Sequence, residues 1–429
     1  MSDAIEVLED ITGEDHDVER EAIQGESRKV SDLWNKRLIL NREGNPKRAL
    51  ANIETVLRHH PDWQGVLRLN AFTGAVELIK PAPWGRFDGV AEWSELDDSR
   101  MVVWLERTLG PSWPAGQVRA AINLVAADHE CHPIREWLAG LQWDGTPRLD
   151  SWLSTYLGAS DQPAGYLANV GRWFMISAVA RVERPGCQVD HMPVLEGDQG
   201  RGKSTACREL VGDDYFATIS TAMGDKDSFM VLRQRWLVEV DELAGMRRAE
   251  IERVKSYVSA RTDTYRPPYG RAVISVPRQC VLVGTTNSEA WMPDATGGRR
   301  FWPVRCGEID LVGLRRDREQ LWAEAYAHYQ AGDPWWPAPE DRIQLADEVD
   351  ERAQVDPWEG RIAHWLASRP ETTMEALLGD CLGKSASEWH RADQIRVGGI
   401  MTRLKWRRKR PTINGQRVYV YYPPPEVTP

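Results

Sequence analysis

Residues 193–210 read PVLEGDQGRGKSTACREL, and this stretch decides the fold. Four apolar-leaning residues precede a turn with three glycines, and the turn runs into a segment of helical character. The turn matches the pattern G-x-x-x-x-G-K-[ST], with Gly197, Gly202, Lys203 and Ser204 at the fixed positions. Glycines allow backbone N–H groups to converge on phosphate oxygens, and the start of the following helix carries positive potential. The stretch therefore predicts a strand, a phosphate-binding loop and a helix.

This predicted loop implies ATP and Mg²⁺ as cofactors. Lys203 would reach the β- and γ-phosphates, and the hydroxyl of Ser204 would bind Mg²⁺. A turn that holds no phosphate is the alternative. The predicted nucleotide-binding residues are Gly197, Asp198, Gln199, Gly200, Arg201, Gly202, Lys203, Ser204 and Thr205.

Residues 235–243, RWLVEVDEL, supply the acidic strand that such a loop needs. When the strand ends in Asp-Glu, the first acid supports Mg²⁺ and the second activates water, which selects Asp241 and Glu242. Because side chains alternate along a strand, Glu239 and Asp241 should share one face, so either could support the metal. An amphipathic strand with solvated acids is the alternative.

Two further segments carry candidate catalytic residues. Residues 279–287, QCVLVGTTN, read as a buried strand that ends in polar side chains, and Asn287 could orient the attacking water. Residues 296–304, TGGRRFWPV, place Arg299 and Arg300 before another strand-like run. Guanidinium groups match phosphoryl oxygens and often act between subunits. Surface salt bridges are the alternative for these arginines.

Taken in order, these elements resemble the virulence-associated E (VapE-type) family of mobile-element P-loop proteins, which is similar to superfamily-three replicative helicases. The resemblance covers most of the chain and is most specific in WLVEVDEL, YVSARTDTYRPPYGR, GTTN and RRFWPV. In these relatives the acidic strand typically reads Glu-x-x-Glu. The resemblance therefore implies Glu239 and Glu242, with Asp241 as a local variant.

Residues 254–271, VKSYVSARTDTYRPPYGR, resemble the stretch that precedes a pore-lining hairpin in superfamily-three helicases, which carries over Lys255, Asp263 and Arg266. The tip of that hairpin would be Tyr269, Gly270 and Arg271, and aromatic plus basic residues at a tip suit single-stranded nucleic acid. A hairpin that is plain scaffold is the alternative. The predicted nucleic-acid contacts in this region are Lys255, Arg266, Tyr269 and Arg271.

The C-terminal region combines helices, a basic run and a hairpin signal. Asn414-Gly415 is a strong hairpin turn between alternating strands. Helices followed by a hairpin fit a winged-helix module, in which basic side chains contact duplex phosphates. A solvated basic face is the alternative. The predicted contacts are Arg403, Lys405, Arg407, Arg408, Lys409 and Arg410.

The length of 429 residues predicts two to four domains. We predict an α/β fold. A small α+β module and a helical layer come first, and a P-loop (AAA+-like) ATPase core with a parallel sheet follows them. The winged-helix module comes last. The predicted boundaries are an acidic disordered tail at 1–30, the α+β module at 31–105, the helical layer at 106–185, the core at 186–345 and the winged helix at 355–424. Six scattered cysteines and the lack of a long apolar run predict a cytoplasmic protein without membrane contact.

The sequence thus predicts an ATP-hydrolysing, helicase-like DNA motor for replication of a phage or mobile element. With a net charge of −10, contacts to nucleic acid must be local. The expected partners are DNA, single-stranded in the pore of a hexameric ring, and other replication proteins. An ATP-dependent origin-binding or helicase-loading protein without unwinding activity is the main alternative. A small-molecule P-loop kinase is another.

Overall fold

The computed structural model describes residues 32–424 except 86, 88, 111, 220–225, 267–272, 289–290, 293–297, 353–355, 414–415 and 418. The predicted acidic tail therefore lies outside the described residues. The chain divides into two compact units, one ending at Gln142 and one beginning at Trp143. No helix among the described residues is long and apolar enough to cross a membrane.

The first unit is an α+β structure. Its helices are α1 Leu50–His59, α2 Glu95–Leu109, α3 Ala115–Ala127 and α4 Pro133–Gly140. Its strands are β1 Leu67–Asn70, β2 Val76–Leu78, β3 Ala91–Glu92 and β4 Glu130–Cys131, in the order β3-β2-β1-β4. Strands β1 and β2 pair antiparallel as a hairpin, and Gly74 in the turn between them takes a φ of +72°.

The core of this unit extends further along the chain than the predicted boundary at 105. Helix α3 buries Val118, Ile122 and Val125 in the same apolar cluster as Ile53 and Trp63. Helix α3 therefore supplies part of the core of the first unit, and the predicted helical layer at 106–185 stays a prediction.

The second unit contains the parallel sheet. Its helices are α5 Trp152–Leu157, α6 Ala164–Glu183, α7 Lys203–Val211, α8 Lys226–Arg233, α9 Arg248–Val258, α10 Leu311–Ala331, α11 Asp341–Glu351, α12 Glu359–Leu366, α13 Met374–Ala376 and α14 Arg391–Arg403. Its strands are β5 Met192–Glu196, β6 Phe216–Ile219, β7 Leu237–Val240, β8 Thr262–Tyr265, β9 Ile274–Pro277, β10 Val281–Thr286, β11 Phe301–Arg305, β12 Thr372–Thr373, β13 Arg407–Lys409, β14 Thr412–Ile413, β15 Gln416–Arg417 and β16 Val420–Tyr422.

Five of these strands form the central sheet in the order β11-β5-β10-β7-β6, and every pair in it is parallel. Strands β5, β7 and β10 are buried along their whole length. Burial on both faces explains their near-continuous apolar sequence. The predicted parallel sheet is confirmed, and its strands end at one common edge.

Helix α6, which precedes the predicted core of 186–345, and helix α11, which extends past its end, also belong to this unit. Helix α6 packs on the sheet, where the indole of Trp236 donates to the carbonyl of Ala178 at 2.9 Å. Helix α11 leads to Arg352, which is buried against the sheet. The predicted limits of the core stay a prediction.

The C-terminal part has helices α12 to α14 and an antiparallel sheet in the order β12-β16-β13. Its own apolar cluster includes Ile362, Leu377, Val397 and Ile400. Strands β14 and β15 pair antiparallel, and the predicted turn at 414–415 between them lies outside the described residues. The assignment of this part as a winged helix stays a prediction.

Candidate active site

The glycine-rich loop lies between β5 and α7, at the edge where the parallel strands end. Gly197 and Gly202 take φ values of +142° and +90°, which L-residues with side chains rarely adopt. A Cβ atom on Gly197 would also lie 3.1 Å from the carbonyl oxygen of Cys306. The loop therefore requires glycine for its shape, and it leads directly into the N-terminus of α7.

Lys203 is the first residue of α7, and its side chain contacts the backbone of the loop. Its side chain is 7% exposed, and Nζ donates to the carbonyl oxygens of Gly197 at 2.5 Å and Asp198 at 2.9 Å. The Oδ1 atom of Asn287 lies 3.4 Å from Nζ, so the end of β10 reaches the loop. Burial lowers the pKa of Lys203. The structure thus brings these two predicted residues together.

Glu239 on β7 is the central carboxylate of the site. It is 1% exposed, and three hydroxyl groups donate to it: Ser204 at 2.6 Å, Thr218 at 2.9 Å and Thr285 at 2.8 Å. These hydroxyls come from α7, β6 and β10, so neighbouring elements fix the carboxylate from three sides. The sequence did not single out Thr218, whose strand β6 had not been predicted.

Asp241 and Glu242 differ in their placement. Asp241 accepts from Thr285 at 3.1 Å, so it lies on the same side as Glu239, as alternation predicts. Glu242 has a left-handed backbone, with a φ of +54°, and an exposed side chain. Its amide donates to Asp241 Oδ1 at 2.8 Å. The strand thus ends with a turn that directs Glu242 away from the buried carboxylate.

The donor set next to the loop consists of oxygen atoms. The hydroxyl of Ser204 and the carboxylates of Glu239 and Asp241 are hard ligands of the type that Mg²⁺ prefers. Mg²⁺ normally binds one or two carboxylates together with phosphate oxygens and water. The residues present therefore fit a magnesium ion, which Ser204, Glu239 and Asp241 would hold.

The two candidate arginines have different surroundings. Nε of Arg300 donates to the hydroxyl of Ser259 at 2.7 Å, in the turn that follows α9 of the same chain. Arg299 is exposed and makes no hydrogen bond or ion pair with any residue that the structure describes. Of these two arginines, Arg299 is thus the exposed one, without a partner among the residues that the structure describes.

The predicted nucleic-acid contacts near the central hairpin differ in their exposure. Lys255 is 4% exposed, and its ammonium group lies 2.8 Å from a carboxylate oxygen of Glu252. Its predicted contact with nucleic acid stays a prediction. Arg266 is exposed, whereas Tyr269 and Arg271 lie outside the described residues.

The residues of the C-terminal basic run also differ in their exposure. Arg403 is half-buried and pairs with Glu359 at 2.8 Å, so its charge is already compensated. Lys405 and residues 407–410 are exposed. The guanidinium of Arg408 lies 4.2 Å from the ring centre of Tyr419, and that of Arg410 lies 5.0 Å from it. The exposed strand β13 thus presents several positive charges.

A buried ionic network lies directly behind the loop, and sequence reasoning did not identify it. Glu196, the residue before Gly197, is 1% exposed and accepts from Arg352 at 3.1–3.2 Å. It also accepts from the indole of Trp291 at 2.7 Å, and Arg352 donates to Glu348 at 2.8 Å. Burial raises the pKa of Glu196. The one signal of this network in the sequence was a glutamate at the end of an otherwise apolar strand.

Comparisons with known proteins identify one matching family and several similar solved structures. A family model described as "Virulence-associated protein E-like domain" matches residues 138–355. A search of curated proteins returned no significant match. Similar solved structures include three of the NrS-1 C-terminal region, each 11% identical and covering 83% of this chain and 96% of theirs. Their TM-scores are 0.41 for one A-form apo structure and 0.44 for the other two.

Proposed function

The chain belongs to the virulence-associated protein E-like family, and on this premise we propose that it is an ATP-hydrolysing motor that acts on DNA during replication of a phage or other mobile element. The family and its phosphate-binding loop imply nucleotide binding. The observation that carries the proposal is the cluster in which Ser204 donates to Glu239 while Lys203 lies beside Asn287. A phosphate ligand, a metal ligand and a polar strand end meet there, as phosphoryl transfer requires.

We assign the roles within this site as follows. The loop amides and Lys203 bind the β- and γ-phosphates of ATP. Ser204 and Glu239 hold Mg²⁺, which neutralises charge on the phosphates when bound. The exposed carboxylate of Glu242 activates the attacking water, and the amide of Asn287 orients it.

We further propose that Arg299 completes the site of a neighbouring copy in a ring, taken to be a hexamer. The exposure of Arg299 and its lack of a partner within the described residues support a role between subunits. Arg300 instead holds the turn in place through Ser259. Native mass spectrometry with an ATP analogue and single-stranded DNA tests the assembly, and a strictly monomeric species would contradict this arrangement.

DNA contacts are proposed in two places. Arg266, Tyr269 and Arg271 would contact single-stranded DNA in the ring pore. The C-terminal part would act as a winged helix, with Arg408 on the exposed strand β13 contacting duplex phosphates.

The deciding experiment is the ATPase activity of the Lys203→Ala variant. Loss of the buried ammonium group should lower turnover by roughly 100-fold or more, because a preorganised charge at the phosphates is removed. Lys47→Ala, which changes an exposed lysine of the first unit, is the matched control. Full turnover in the Lys203→Ala variant would refute the assignment of the site.

An ATP-dependent loader that binds DNA without unwinding it is the second candidate. The exposed charges on β13, with Arg408 over the ring of Tyr419, favour duplex binding independently of any motor. Strand separation on a forked DNA substrate distinguishes the two. ATP-driven separation supports the motor, whereas ATP-stimulated duplex binding without separation supports the loader.

A further inference from the structure

Helix α2 of the first unit carries a row of apolar and basic side chains that is exposed except at the half-buried Trp104. The row, called here the α2 stripe, consists of Leu96, Arg100, Val103, Trp104 and Arg107. These positions are three or four residues apart, which places them on one helix face. Leu96 is 57% exposed and Val103 is 43% exposed. An apolar row left open to solvent is typical of a binding surface.

The acidic residues of α2 are engaged elsewhere or lie on other faces. Asp97 is 7% exposed and forms a capping box with Ser94, and Asp98 accepts from the indole of Trp93 and from Arg119. The helical rotation of 100° per residue directs Glu95 and Glu106 away from the stripe. The stripe therefore carries net positive charge, although Asp97 also accepts one hydrogen bond from Arg100.

A groove runs beside the stripe, with a volume of about 330 Å³. Its other wall is Trp84, whose ring packs on that of the buried Trp63 at 5.3 Å. Trp104 packs on the same Trp63 ring at 5.7 Å. Both walls are thus held rigidly by one buried indole, so the groove is preformed.

The first described residues of the chain lie next to this groove. The ring of Trp34 is 4.9 Å from that of His60, and His60 is 5.0 Å from Trp104. Residues 1–31, which precede this point, include ten carboxylates and only three basic residues. Ile5, Leu8 and Ile11 alternate there with acidic residues. This segment therefore matches the stripe in both charge and apolar character.

We propose that the acidic N-terminal segment, residues 1–31, docks in its own chain on the α2 stripe and the adjacent groove. The aliphatic side chains would cover Leu96 and Val103, and the carboxylates would pair with Arg100 and Arg107. A short tether gives the segment an effective concentration of about millimolar at the stripe, so even weak contacts suffice. The inference concerns the first unit and is independent of the motor proposal.

The test is a photo-crosslink in the full-length protein. A photoreactive amino acid in place of Leu8 should link to α2 or to Trp84, and mass spectrometry of the digest identifies the site. The double variant Arg100→Glu/Arg107→Glu should lower the yield at least fivefold. Arg42→Glu, which reverses an exposed charge elsewhere in the first unit, should leave the yield unchanged.

A second variant provides a further check, and two other occupants of the stripe are tested: a second copy of the chain and a single-stranded oligonucleotide. Val103→Glu keeps both arginines and should also lower the yield, while an unchanged melting temperature shows that the unit remains folded. Three outcomes would each overturn docking within the chain: crosslinks to other surfaces, crosslink yields that these variants do not change, and crosslinks between isotopically distinct copies. Displacement of the link by a single-stranded oligonucleotide that itself crosslinks to α2 would identify the stripe as a nucleic-acid surface and overturn the proposal.

Discussion

Replacement of Arg352 by methionine tests whether the ionic network behind the loop stabilises the second unit. Arg352 is 2% exposed, and it is shared by the carboxylates of Glu196 and Glu348, which are 1% and 7% exposed. Methionine fills a similar volume but leaves both carboxylates without the guanidinium. Removal of one partner of a buried ion pair costs about 3–5 kcal/mol, because the remaining charge stays desolvated.

In a unit of this size that loss corresponds to a melting temperature lower by roughly 10 °C. Calorimetry and urea unfolding followed by near-ultraviolet circular dichroism measure it. The matched control is Arg396→Met, which removes an arginine paired with Asp356 but with 39% of its side chain exposed. Partly exposed pairs are worth about 1 kcal/mol or less, so this variant should change little.

The pH dependence of the variant's loss in unfolding free energy identifies the cause of that loss. Burial already raises the pKa of Glu196, and loss of the arginine should raise it further. A carboxyl whose pKa is raised in the folded state destabilises the fold increasingly as the pH rises through that pKa. The deficit of the variant should therefore be smaller at acidic than at alkaline pH. Adding Glu196→Gln should recover part of the loss, since it removes the unpaired charge.

Two outcomes would refute this account. A deficit below about 1 kcal/mol would mean that the network contributes no more than an exposed pair. A double variant no more stable than Arg352→Met alone would mean that the unpaired charge on Glu196 is not the source of the loss.

Three further predictions concern the proposed activity. Glu239→Gln should lower ATP turnover and raise the magnesium concentration that turnover requires, and both effects should be larger than those of Asp241→Asn. The reason is that three hydroxyls fix Glu239 beside the loop. Phosphate release across a magnesium titration measures the turnover and the magnesium requirement. Arg299→Ala should abolish hydrolysis without weakening nucleotide binding, and mixing it with the Lys203→Ala chain should restore part of the turnover if sites form between copies. Arg408→Glu should weaken duplex binding and lower the salt slope of the binding constant by about 1, as fluorescence anisotropy can measure.

The sequence identifies most of the nucleotide-binding region because its signals are local. The loop glycines fix backbone geometry within a few residues of Lys203, and the buried strands appear as short apolar runs. The placement of Asn287 beside Lys203 also follows from the sequence, since the ends of parallel strands meet at one edge of a sheet.

Other features depend on contacts between distant parts of the chain, which local patterns do not encode. Lys255 has the sequence context of a contact residue, but the packing of α9 buries it. The pairing of Glu196 with Arg352 joins positions more than 150 residues apart. The true limit of the first core depends on the tertiary packing of α3, which helical periodicity alone does not reveal.

The strand order of the central sheet has a consequence for biosynthesis. Strand β5, which leads into the loop, pairs with β10 and β11 and with no other strand that the structure describes. A ribosome must therefore translate about another hundred residues before β5 can acquire its neighbours, which takes on the order of ten seconds. We expect a nascent chain stalled before Phe301 to lack affinity for nucleotide, so that competence for ATP arises late in translation.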